Sequence, residues 1–142
     1  MKYTTSVFAL LSSMIFMSFH INAQTIFYCE TQNNKKVEVQ IVGDLVQYRF
    51  GTKLYKPEIE LLVARKNAST FQWLGIGMNE YYDVTIPSGD VFYKVFTSQE
   101  RRPEGKSEAG ISVWSKDKLI AKIYCNNDSL YEMLIDIDLP KE

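Results

Sequence analysis

Histidine is almost missing from this chain. The single one, His20, lies inside a leader-like N-terminal stretch, so the rest of the sequence offers no imidazole base. That excludes Ser–His–Asp and Cys–His nucleophilic centres, which depend on such a base. It also excludes zinc sites built from clustered His and Cys. Cysteine is nearly as scarce, with Cys29 and Cys125 the two copies. Glycine is sparse, and Gly75-Ile76-Gly77 lacks the remainder of any phosphate-binding fingerprint. No sign of charge dominates either. Removing Lys2 from the 16 basic residues leaves 15 against 17 acidic ones, a net charge of −2. A nucleic-acid binder carries a basic face and a membrane-surface binder a polybasic patch, and neither is present. No metal, cofactor or catalytic residue is expected.

What is present begins with a signal peptide over residues 1–23. Lys2 supplies a positive start, residues 7–21 are mostly apolar, and Ile21-Asn22-Ala23 places a small residue before a cleavage point at Gln24. Ser12, Ser13 and Ser18 interrupt the apolar run, which is short of the ~20 residues a bilayer anchor needs. The expected product is residues 24–142 as one domain, periplasmic or secreted, with no stable membrane anchor. In an oxidising compartment two cysteines most often form a structural disulfide, here Cys29–Cys125; a pair of free thiols is the alternative.

From Thr25 onward, short β-prone runs alternate with turn residues. Residues 25–31, 37–42 and 45–50 read as a meander, with turns at Asn33-Asn34 and Gly43-Asp44. Val37, Val39 and Ile41 fall on one face of the second strand, and Val46, Tyr48 and Phe50 on one face of the third. Residues 59–64, 70–74, 81–86, 91–96, 110–115 and 119–125 supply further strands. The pattern Ser129-Leu-Tyr-Glu132 matches a capping box that opens a short helical turn, and residues 134–139 alternate as a final strand. The expected fold is all-β, a small antiparallel barrel or sandwich of about eight or nine strands with a short C-terminal helical turn. Closure into a barrel is favoured because it leaves the fewest unpaired edges; an α+β fold is the runner-up.

Binding residues are sought among aromatics and turns. Phe27, Phe50, Phe71, Phe96 and one tryptophan are expected in the core, while Tyr81-Tyr82 sends one ring to each face of a strand. Pro87-Ser88-Gly89-Asp90 reads as a tight protruding turn. Residues 100–108 hold no large apolar side chain and read as a mobile surface loop, in which Arg101 and Arg102 are available to acids on a partner. Glu80, Asp83 and Asp90 are the acids for which glycoside chemistry is not excluded. Asn67-Ala-Ser69 and Asn127-Asp-Ser129 match the short glycosylation sequon.

Phe27-Tyr-Cys29 opening the first strand, Val113-Trp114-Ser-Lys116, and a strand closing on Cys125 together resemble bacterial periplasmic inhibitors of C-type lysozymes. That resemblance implies a compact, disulfide-closed β-barrel that blocks a lysozyme cleft with a Ser/Gly-containing loop and a nearby tyrosine. Ser88, Gly89 and Tyr93 are the positions that match the loop. The family's fuller S-x-S-G-x-R-Y pattern is absent, and this chain runs 17 residues past Cys125. The implied partner is a lysozyme-like hydrolase. An immunity protein facing an envelope toxin, and a structural or adhesive envelope module, are the alternatives.

Overall fold

A computed structural model describes residues 21–142. The leader read at residues 1–23 lies outside them except for its last three positions. Nine antiparallel strands follow: β1 (Ala23–Glu30), β2 (Lys36–Val42), β3 (Leu45–Gly51), β4 (Ile59–Ala64), β5 (Asn79–Ser88), β6 (Val91–Glu100), β7 (Ser107–Ser115), β8 (Lys118–Tyr124) and β9 (Tyr131–Glu132). They form a five-stranded sheet in the order β4-β3-β2-β1-β9 and a four-stranded sheet in the order β5-β6-β7-β8.

Alternation selects the inward faces. One cross-strand row of the first sheet is Phe27, Val39, Tyr48 and Leu61; one row of the second is Val84, Val95, Ile111 and Ile123. Residues of both rows meet in a shared core. Each fully buried Val, Ile or Phe there contributes about 1.5–3 kcal/mol from apolar burial. Three hairpins close with two-residue turns, Gly43-Asp44, Gly89-Asp90 and Lys116-Asp117. In each, φ is positive at the first turn residue only, +58°, +61° and +54° respectively. That is the φ pattern of a II′ turn, whose twist suits adjacent strands.

The sheets meet at one corner. Asn126 donates its N–H to Glu30 O at 2.7 Å, Gln32 donates to Tyr124 O at 2.9 Å, and the disulfide joins Cys29 to Cys125. Both cysteines are buried. The corner is a single bridge between Thr31 and Cys125, so the strands form two sheets on a common core instead of the closed barrel expected from edge protection.

Three further expectations are corrected. No helix starts at Ser129: its hydroxyl accepts the Glu30 N–H at 2.8 Å and donates to Asn126 O at 2.7 Å. A 3₁₀ turn covers Asn127–Ser129, and Tyr131 and Glu132 then pair with Tyr28 and Phe27. Competition from another chain segment for one hydroxyl removes the cap. Residues 134–139 are not a strand, because Gln72 pins their backbone as a turn. Its Nε2 donates to Leu134 O and its Oε1 accepts the Asp136 N–H, both at 2.8 Å. Residues 70–74 are not a strand: the ladder to β5 is limited to isolated bridges at Ser69–Thr85 and Gln72–Tyr82, and Phe71, expected in the core, is 38% exposed.

Candidate partner-binding surface

The residues singled out as binding candidates fall at opposite ends of β6. Ser88, Gly89 and Asp90 form the exposed tip of the β5–β6 hairpin. Tyr93 does not join them. It lies on the inward face opposite Ile86, half-buried, with its ring 5.3 Å from that of Tyr48. Arg101 and Arg102 follow the far end of β6, roughly 30 Å from the tip for a strand of ten residues. The six residues are thus spread over the hairpin tip, the inward face and the far end of β6.

The far pole carries the feature that sequence reading passed over. Residues 73–78 leave the sheet as a loop whose aliphatic side chains face solvent: Leu74 is 81% exposed, Ile76 82% and Met78 57%. Gly75 and Gly77, at φ +82° and +95°, shape the backbone between them. The loop is held at its base. Trp73 donates its indole N–H to Ile76 O at 2.8 Å, Arg101 donates its backbone N–H to Met78 O at 2.8 Å, and the Arg101 guanidinium sits 4.8 Å from the Trp73 ring centre.

The neighbouring charged segment is shorter than expected and tied down. Glu100 belongs to β6 and Glu108 to β7, which leaves residues 101–106 as the connection. Glu100 donates its N–H to Lys106 O at 2.9 Å, and its carboxylate meets Arg102 at 2.9 Å. The Arg102 pairing and the Lys106 N–H hold the Glu100 carboxyl below its ordinary value. Arg101 has no carboxylate partner among the described residues. Its guanidinium lies over the indole face, an attraction of about 0.5–1 kcal/mol at an exposed site.

The outward face of the second sheet holds the other unusual group. Tyr81, Phe96 and Tyr124 pack across it, with Phe71 against Tyr81 and Lys122 over Phe96. Beneath them Asp83 is completely buried. Its Oδ1 accepts the Phe71 N–H at 2.9 Å, and its Oδ2 lies 3.0 Å from Lys94 Nζ, an ion contact without hydrogen-bond alignment. Lys94 also reaches Glu142 at 3.4 Å, while Glu142 accepts from Thr85 and Ser69. Desolvation raises the Asp83 carboxyl above its ordinary value despite the Phe71 N–H and Lys94. Partial burial works to raise Glu142, but the Thr85 hydroxyl and Lys94 outweigh it and leave that carboxyl lowered.

These acids are not assembled as a pair that could meet a sugar. Asp83 is closed off from solvent, and Glu80, which accepts the Tyr82 hydroxyl at 3.0 Å, stands at the opposite end of β5 from Asp90. Among the described residues no grouping of His, Cys, Asp and Glu is placed to hold a metal ion. Asn67 and Asn127 are both exposed; Asn127 donates its side-chain amide to Ser107 O.

The missed signal was alternation in the wrong place. Leu74-Gly-Ile76-Gly-Met78 repeats apolar residues at period two, which normally marks a strand face, but glycine at every second position removes the strand. Comparison with known proteins gives no match to any family model, curated protein or solved structure.

Proposed function

We propose that this chain is an exported domain that acts by binding another protein, most specifically as an inhibitor of a cell-wall hydrolase. One observation carries the binding reading: a braced loop displays Leu74 and Ile76 at more than four-fifths exposure. Isolated surface leucines are ordinary, but a contiguous apolar projection with a polar rim has the anatomy of a protein interface. The brace supplies preorganisation, which limits the ordering entropy lost on association. Export is supported by the leader-like N-terminus and by the disulfide, which fits an oxidising compartment. The inhibitor form follows from the resemblance carried by the segments around Cys29, Trp114 and Cys125.

The test is a binding measurement with the secreted protein against a panel of purified lysozymes, by surface immobilisation and by inhibition of peptidoglycan lysis. Submicromolar binding accompanied by inhibition supports this function. No binding at micromolar concentration removes the inhibitor form, and saturable binding to an envelope-directed toxin would transfer the function to immunity.

A further inference from the structure

Resting on that reading, we infer that the wedge formed by residues 73–78 and Arg101, and not the Ser88 hairpin, enters the cleft of the hydrolase, with Leu74 and Ile76 on its apolar wall and Arg101 at its catalytic carboxylates. The occupant is set by complementarity. A glycan-cleaving enzyme of the usual kind carries two carboxyl groups about 5–9.5 Å apart across an open cleft. A protein that blocks such a cleft gains from bringing a cation to the carboxyl groups on a narrow projection, with apolar surface to bury around it.

The far pole brings both. Leu74 and Ile76 project with their side chains free, and Arg101 is fixed at their base by its backbone bond to Met78 and its stacking on Trp73. Its guanidinium is without an acid among the described residues, whereas the adjacent Arg102 is already engaged by Glu100. A planar guanidinium held by an aromatic face retains its donors for a carboxylate, and such paired, charge-assisted bonds are the strong ones. The Ser88 tip offers no comparable combination: its side chains are small or acidic, and an acid at position 90 would repel the cleft carboxylates. A bilayer fits the wedge less well, since Glu100 and Glu104 stand among the basic residues and cancel attraction to anionic lipid.

The experiment uses the full secreted protein and a C-type lysozyme, reading the inhibition constant on a peptidoglycan suspension. Leu74→Ser/Ile76→Ser and Arg101→Ala are each expected to weaken inhibition at least tenfold, with Arg101→Lys recovering part of the loss. Leu62→Ser, the same kind of change at a 58% exposed leucine on the first sheet, is expected to leave inhibition unchanged. Melting curves of all variants confirm that the exposed substitutions leave the fold intact. Full inhibition by the wedge variants, or loss of inhibition on Ser88→Ala alone, overturns this assignment while the inhibitor function stands. A wild-type protein that inhibits no lysozyme overturns the function beneath it. Sedimentation with phosphatidylglycerol vesicles that depends on Leu74 and Ile76 would overturn the assignment in favour of a membrane surface.

Discussion

Lys94 holds together two carboxylates whose environments pull in opposite directions. Because the folded value of Asp83 lies above its ordinary 3.8, its favourable contribution is complete below that value and is lost as pH rises through the folded one. Glu142, held below its ordinary 4.5, contributes above that value and loses its contribution as pH falls. Removing the lysine leaves Asp83 as a buried, uncompensated anion at neutral pH. Lys94→Met is therefore expected to destabilise the protein by roughly 3 kcal/mol near neutrality. The deficit should shrink as pH falls from neutrality through the raised Asp83 value, where the carboxyl takes up its proton. Chemical denaturation of both proteins across that range checks this; a deficit independent of pH would mean the lysine acts through packing alone.

Among the elements, the hairpins show how a short sequence signal becomes a shape. Two of the three two-residue turns place Gly at the positive-φ position, and the third places Lys116 there at φ +54°. A side chain in that region costs about 1–2 kcal/mol against ordinary backbone, partly offset because glycine has more freedom to lose on folding. Lys116→Gly should consequently raise stability by about 0.5–1 kcal/mol, visible as a higher melting temperature; an unchanged or lower one would show that the lysine has contacts worth keeping. The same turn chemistry made most strands legible beforehand: Gly43-Asp44, Gly89-Asp90 and Lys116-Asp117 all stand where the alternating runs break. Legibility failed where one residue's partners lie far along the chain. Ser129 had the right neighbour for a capping box, but Glu30, 99 residues away, takes its hydroxyl. Residues 134–139 alternated like a strand, and Gln72 folded them into a turn. Of the candidate surface, Arg101 was visible as a free cation in a polar stretch. Its companions Leu74 and Ile76 were not, since apolar side chains are read as core until a structure puts them outside.

For the whole molecule, the disulfide is the main long-range constraint. It spans 96 residues and ties the first sheet to the end of the last strand of the second. On the chain-entropy account a loop of that length contributes about 4–5 kcal/mol by restricting the unfolded chain. Replacing both cysteines by alanine should lower the melting temperature by more than 10 °C at this chain size, roughly the shift that such a loss produces, while far-UV circular dichroism keeps its strand signal at low temperature. Indifference of the unfolding midpoint to the double replacement would remove the bond from the list of stabilising features.

The contiguity of the two sheets has a consequence for how the chain matures. Apart from β9, the first sheet uses residues 23–64 and the second residues 79–124, each assembled from sequential hairpins. Such neighbouring pairings have low contact order and form early, whereas the corner at Thr31 and Cys125 must wait for both sheets. Cys29 therefore emerges first and remains an open thiol throughout the synthesis of nearly everything that follows. During that interval its thiolate can attack any disulfide it meets, releasing a thiol and leaving a mixed disulfide. The order of events can be followed by trapping free cysteines during oxidative refolding: strand content should recover before the Cys29–Cys125 bond appears. The position of the second cysteine thus sets how much of the chain must be made before the first can find its partner.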